Sequence, residues 1–299
     1  MIKSVEEYLD ALKAELVESD AATVQDALAD AEEHLRAALV GMRETEPEKS
    51  AEQALDLVIE QYGSPDEIAA AYREVERLTP PGLTSRNRTS DSMLVRFFAI
   101  FADPRAWGAI LYMLIAFVTG IVYFTWAVTG LSLSISLAIF IFGLPFAIFF
   151  LLSVRGLALL EGRLVEALLG VRMPRRPKFA HQDMKWLERL KLLVTDVPTW
   201  KMLFYMIVQL AFGTLYFTVI VTLFSVALSL MASPVLEMFT DQAAAGVIIG
   251  TMRYRYYLSP AWYPVLIILG FLLLTVSMHL FKFVGQLHGR YAKMFLVTD

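Results

Sequence analysis

Cysteine is absent from the 299-residue chain. That removes disulfides, thiolate metal sites and cysteine nucleophiles, and it leaves the redox compartment undetermined. Histidine is scarce, with His34, His181, His279 and His288 the full set of four. No nucleophile, metal-ligand or phosphate-cradling motif of the required spacing occurs, so the expectation is no catalytic residue, no metal and no cofactor. Charge is also sparse, at 19% of residues, and is missing altogether from residues 106–154, 202–236 and 256–281. A chain with three such voids is not a soluble enzyme of ordinary composition. The opening MIKSVEEYLD lacks the basic stretch and apolar core of a secretory signal, so the amino-terminal segment is expected to stay in the cytoplasm.

What is present is apolar side chain, 57% of the residues, more than a core needs, and the excess must face lipid. The 49 uncharged residues between Arg105 and Arg155 exceed the ~20 needed for one spanning helix and suffice for two with a short turn. Spans are placed at about 107–129 and 132–154, with Thr129-Gly130-Leu131-Ser132 as the turn. The 35 uncharged residues after Lys201 and the 26 after Arg255 hold two more, at about 202–224 and 260–281. The expected fold class is all-α: a polytopic membrane protein with four transmembrane helices.

The net charge of −4 conceals two halves. Residues 1–78 hold 20 acidic against 7 basic side chains, and residues 79–299 hold 10 against 19. Such asymmetry marks two surroundings, one solvated and one meeting anionic headgroups. Residues 1–78 are expected to form a small acidic cytoplasmic domain of four helices. Ser4 with Glu7 opens the first, whose face carries Val5, Tyr8, Leu9, Leu12 and Leu16. Val24, Leu28, Leu35, Leu39 and Met42 stripe the second. The third starts after Ser50 and stops at Gly63, where a left-handed cap residue is expected, and Ser64-Pro65-Asp66-Glu67 opens the fourth. Residues 79–92, beginning Thr79-Pro80-Pro81-Gly82, read as a linker.

The membrane part repeats itself. An offset of 93 pairs Asp103 with Asp196, Trp107 with Trp200, Tyr112 with Tyr205, Gly120 with Gly213 and Tyr123-Phe124-Thr125 with Tyr216-Phe217-Thr218. Further on the offset becomes 127, pairing Gly143 with Gly270 and Gly162-Arg163 with Gly289-Arg290. Repeat 1 is read as 93–171, a basic cytoplasmic linker as 172–184 and repeat 2 as 185–299, whose outer loop of about 231–260 opens at Ala232-Ser233-Pro234 and ends among Tyr254, Tyr256, Tyr257 and Trp262. An even number of spans per unit makes the repeats parallel. Each has a lead-in segment, 94–98 and 187–191, read as an interfacial helix, with Trp107 and Trp200 at the membrane boundary. Residues 171–201 carry eight Lys/Arg, whereas the turn near Thr129 carries none, which places both termini inside. Arg172, Arg175, Arg176 and Lys178 follow a span directly. They are read as lipid-facing topology determinants, not a nucleic-acid site. The Asn87 sequon has no glycosylation meaning on that side.

One constellation stands out. Tyr112, Ala116, Gly120 and Tyr123 share a helical face, and Tyr205, Gln209, Gly213 and Tyr216 repeat it with one polar replacement. Either these faces pack two helices closely or they line a shared groove in which Gln209 is a polar group near mid-membrane. His34 reads as a surface residue of the acidic helix, and His279 as a polar residue at a wet helix end.

Residues 3–78 resemble the HAAS-type helical domain, chiefly through Asp30-Ala31-Glu32-Glu33 and Gln61-Tyr62-Gly63-Ser64-Pro65-Asp66-Glu67-Ile68. Residues 94–298 resemble the sensor membrane domain that commonly precedes a histidine kinase in bacterial two-component proteins. That resemblance rests on Trp107, Tyr112, Tyr123-Phe124-Thr125, Val128-Thr129-Gly130-Leu131-Ser132, Leu157, Leu160-Glu161 and Ala167-Leu168-Leu169-Gly170-Val171. No kinase follows Asp299, so any output is expected to pass to a separate protein. The resemblances imply a non-enzymatic sensor or signal-relay component of a bacterial cytoplasmic membrane, with the bilayer and a protein bound by residues 1–78 as partners. Homo-oligomerisation stays open. The alternative is an accessory of a transport or export system for a small solute or lipid; an enzyme and a structural scaffold rank below both.

Overall fold

The computed structural model of the chain describes residues 2–45, 48, 50–78, 92–140, 143–174, 194–240 and 259–297. Among them there are helices and no strand: α1 (Val5–Glu15), α2 (Ala21–Thr45), α3 (Ala51–Tyr62), α4 (Pro65–Leu78), α5 (Met93–Phe98), α6 (Pro104–Leu137), α7 (Gly143–Leu169), α8 (Val197–Thr240) and α9 (Tyr263–Leu296). Four of these, α6 to α9, are long and apolar enough to cross a membrane. The chain is thus an all-α polytopic protein by length and composition of its helices.

Two compact units cut across chain order. One holds Met1–Thr84, Thr125–Ile207 and Gly289–Asp299, and the other Ser85–Phe124 and Val208–His288.

In the first unit, α1 to α4 close over Val5, Tyr8, Leu12, Leu16, Ala27, Ala31, Leu35, Leu55, Val58 and Ala69. Their ends are set locally. The Ser4 hydroxyl accepts from the Glu7 amide while the Glu7 carboxylate reaches back to the Lys3 amide. Ser50 and Gln53 form a reciprocal capping box. Gly63 ends α3 at φ 116°, a backbone conformation that side chains disfavour, and its carbonyl accepts the Tyr8 hydroxyl at 2.8 Å. Asp30 accepts hydroxyls from Tyr72 at 3.0 Å and Tyr62 at 3.4 Å, which ties α2 to both α3 and α4. His34 is exposed and stacks on the Tyr62 ring at 4.6 Å. At the far end of the chain, Lys293 of α9 pairs with Asp20, just before α2.

Three boundaries differ from the sequence reading. The first hairpin does not turn at 129–132, because α6 continues to Leu137 and α7 starts at Gly143. Gly130 is a packing position instead: a side chain there would run into the Phe150 ring. The turn is at Gly143, whose missing side chain admits the Leu137 carbonyl, so span two is displaced to Gly143–Leu169 and carries Arg155, Glu161, Arg163 and Glu166 inside its helix. The third difference is Pro234. The sequence places it at the opening of the outer loop, yet it lies inside α8, which runs on to Thr240. One proline forfeits a single helical hydrogen bond, whereas unwinding an apolar segment would strip many backbone groups of partners.

In the second unit, α5 and the 3-10 turn Ala99–Ala102 form the first lead-in helix. Phe98 and Phe101 stack on Phe271 of α9, and His279 donates from Nε2 to the Phe97 carbonyl at 3.0 Å. His279 therefore fastens the lead-in segment. Most of the linker, the second lead-in segment 187–191, Arg175, Arg176, Lys178, and loop residues 241–258 lie outside the described residues.

Candidate functional site

Residues paired by the two sequence offsets make three kinds of contact. The first is at the helix entrances. Trp107 donates from its indole to the Phe101 carbonyl at 2.9 Å, and Trp200 to the Val194 carbonyl at 2.7 Å, each six residues back. Both indoles are about half exposed, at 52% and 44%, as suits a residue with one wet edge. Arg172 is partly buried after the end of α7.

The second kind is an ion pair. The Asp103 carboxylate, which caps α6 by accepting the Arg105 amide, binds Lys282 of α9 at 2.7 Å. Burial works against ionisation of Asp103, but the bonds from Lys282 and the Arg105 amide outweigh it and hold the carboxyl below the ordinary range. Asp196, ahead of α8, binds Arg155 of α7 at 2.5 Å. Thr199 donates its hydroxyl to Asp196 and accepts from Arg155, which closes that cluster. Asp103 and Asp196 are 93 apart, and Arg155 and Lys282 are 127 apart, so the same two offsets generate both pairs. In each, the acid just ahead of one long helix holds a cation from another, Asp103 before α6 with Lys282 of α9 and Asp196 before α8 with Arg155 of α7.

The third kind lies among the tyrosines. Tyr112 and Tyr205 are equivalent by the offset of 93, and their hydroxyls meet residues equivalent by 127. Tyr112 lies 2.7 Å from Nε2 of His288, and Tyr205 donates to Oε1 of Glu161 at 3.0 Å. His288 is 2% exposed and Glu161 is 1% exposed. Tyr291 stacks on Tyr205 with ring centroids 5.4 Å apart. In the other unit, Tyr216 lies 2.9 Å from Nδ1 of His288, and Gln209 donates from Nε2 to the Tyr112 hydroxyl at 3.3 Å. Tyr123 is buried on α6.

Between the tyrosines of α6 and α8 the helices touch backbone to backbone. A side chain on Gly120 would come to 2.8 Å from the Gln209 carbonyl oxygen and 3.0 Å from Leu210 Cα. One on Gly213 would come still closer to the Ala116 carbonyl oxygen and would stand 2.7 Å from Phe117 Cα. Ala116 and Phe117 map onto Gln209 and Leu210 by the same 93, so each glycine receives the other helix at the equivalent place. The two faces singled out in the sequence thus meet as a close crossing, with Gln209 bonded to Tyr112 and His288 joining Tyr112 to Tyr216.

Several members of these clusters carried no role in the sequence reading: His288, Glu161, Arg155, Lys282 and Asp30. Extending the offset of 127 from Gly162 and Gly289 by one residue exposes the Glu161 and His288 pair. Asp30 gives no such signal, because nothing in an acidic helix marks the carboxylate that two distant tyrosines will reach. Among the described residues there is no group of three or more His, Asp or Glu placed to hold a metal ion.

Comparison with known proteins gives one family, described as Putative sensor, whose profile matches residues 112–296. No curated protein and no solved structure matches the chain. The matched segment contains the glycine crossing, both tyrosine clusters and the Arg155 and Asp196 pair.

Proposed function

Since the chain belongs to the Putative sensor family, we propose that it is a non-enzymatic membrane sensor or signal-relay component that converts an envelope or bilayer cue into a change at its amino-terminal helices. The family match over most of the membrane part is the observation that carries this reading. In it the protein sits in a bacterial cytoplasmic membrane with both termini inside, as the basic excess of residues 171–201 favours. Residues 3–78, similar to a HAAS-type domain, form the output surface and bind a protein partner.

The geometry is suited to such a task. Crossings made through glycine and ion pairs between helices are discrete contacts that a small change in span packing would make or break. Span four offers a route outward: α9 is one continuous helix whose Lys293 bonds to Asp20 at the start of α2.

The test is photo-crosslinking in native membranes, comparing the full chain with one that begins at Thr84. A partner captured by the full chain and lost on truncation, with membrane insertion unchanged, supports the reading. Retention of every partner and of full signalling by the truncated chain overturns it.

A further inference from the structure

His288 has a phenol partner at each ring nitrogen, the two coming from separate helices. Tyr112 comes from α6, Tyr216 from α8, and His288 itself sits on α9. Phe212 closes the ring edge-on at 5.8 Å. The imidazole is 2% exposed and Gln209, which continues the chain, is fully buried.

Donor and acceptor matching orders this chain. Gln209 donates an amide hydrogen to the Tyr112 oxygen. The Tyr112 hydroxyl hydrogen is then directed to Nε2 of His288, so that nitrogen is the bare one. A neutral imidazole carries its proton on the other, and Nδ1–H donates to the Tyr216 oxygen. Every group donates in the same direction.

We propose that His288 is a proton-binding site whose occupancy reverses part of this chain. One proton, taken from water, adds to Nε2 and no heavy-atom bond changes. Nε2–H now donates to the Tyr112 oxygen, the Tyr112 hydroxyl turns toward Gln209, and the Gln209 amide rotates to offer Oε1 in place of Nε2–H. The Nδ1–H bond to Tyr216 is kept. Gln209 is the residue that makes this possible, since an amide can present either a donor or an acceptor from nearly the same place. Its backbone carbonyl is also the atom pressed against Gly120, so the rotation takes place at the crossing of α6 and α8.

Among the described residues, Tyr112 of α6 and Tyr216 of α8 are titratable groups that bond the ring. On α9, Lys282 is neutralised by Asp103 and Arg290 is exposed to solvent. The equivalent position in the other repeat is Glu161, an acid bonded by Tyr205, and the equivalent of Gln209 is Ala116. The reversing device is therefore confined to one copy. Its role as a cue rests on the sensor reading, but its chemistry does not.

The test uses the full chain in lipid nanodiscs with 15N-labelled histidine and glutamine, the His288 signals being assigned by their loss in His288→Gln and the Gln209 amide by its loss in Gln209→Leu. The expected spectrum near neutral pH is the Nδ1–H tautomer. Acidification should convert it to imidazolium together with a shift of the Gln209 side-chain amide. Gln209→Leu leaves the Tyr112 hydroxyl hydrogen without an acceptor once His288 is charged and should demand about tenfold more acid for half conversion, the scale of one buried donor left unpaired. Tyr216→Phe should move the neutral ring to the Nε2–H tautomer, an effect that a purely space-filling tyrosine would not produce. An Nε2–H tautomer in the wild type, or a Gln209→Leu protein converting at the wild-type pH, overturns the proposal, as does a wild-type ring that stays neutral down to pH values where the protein unfolds. These readouts need no partner, so failure of the sensor reading would leave them unchanged.

Discussion

Replacing Gly213 by alanine tests the helix crossing most sharply, because the atoms that would meet the new methyl are backbone. They are the Ala116 carbonyl oxygen and carbon and Phe117 Cα, none of which can swing aside as a side-chain tip does. To restore ordinary carbon contact the two helices must separate by about 1 Å. In an exposed helix the same change gains roughly 0.5–1 kcal/mol from reduced backbone freedom. Here the overpacking term of about 1–3 kcal/mol acts against it, and the net effect is destabilisation. Gly120→Ala should cost less, since its closest contact is 2.8 Å. Gly156 supplies the control: nothing lies within 4 Å of a side chain there, so Gly156→Ala should be neutral or stabilising. The assay is reversible unfolding of the full chain in mixed micelles. The expected order of stability is Gly156→Ala, wild type, Gly120→Ala, Gly213→Ala. A Gly213→Ala protein as stable as Gly156→Ala would refute the backbone contact.

Tags at the amino terminus, near Lys178 and at Asp299 should report the cytoplasm while one near Asp241 reports the outside, and labelling that finds the Asp241 tag inside contradicts the four-span topology. Arg155→Met should cost about 1–2 kcal/mol, between the limits for exposed and buried pairs, and more than Lys282→Met, because Arg155 also bonds Thr199; equal losses in unfolding would count against the Thr199 contact. Burial, helped by Asp66 and Glu67, raises the Tyr8 phenol to about 12. A raised folded value means that its contribution to stability is complete below the unfolded value near 10 and is lost as pH climbs toward 12. Tyr8→Phe should therefore remove part of the alkaline loss of α1–α4 helicity followed by circular dichroism, and an unchanged alkaline limb would argue against it.

Much of this was legible from the sequence because the physics is local or periodic. Ser50 with Gln53 and the Gly63 terminator depend on neighbours in the chain, so residue type and spacing suffice. The uncharged runs report four spans because no other location suits them. The two offsets, read from tryptophans, tyrosines and glycines, also generate the contacts between Asp103 and Lys282 and between Asp196 and Arg155. Boundaries inside apolar sequence were less legible. Gly130 carries the same letter whether it turns a chain or receives Phe150, and Pro234 ends a helix in water more readily than among apolar neighbours. His288 is illegible in the sequence for a different reason. Its significance lies in two tyrosines 176 and 72 residues away, and only the fold brings them to its two nitrogens.

The absence of cysteine makes the decisive measurement simple. Phe117 and Phe217 stack with ring centroids 4.6 Å apart, so cysteines placed at both positions in the full chain would be its only thiols and could be bridged by a short bismaleimide. Locking α6 to α8 in this way should change the affinity of a partner held by residues 5–78, while the same protein left unbridged binds as the wild type does. Equal partner affinity in the bridged and unbridged proteins would contradict the claim that span packing is read out by the amino-terminal helices.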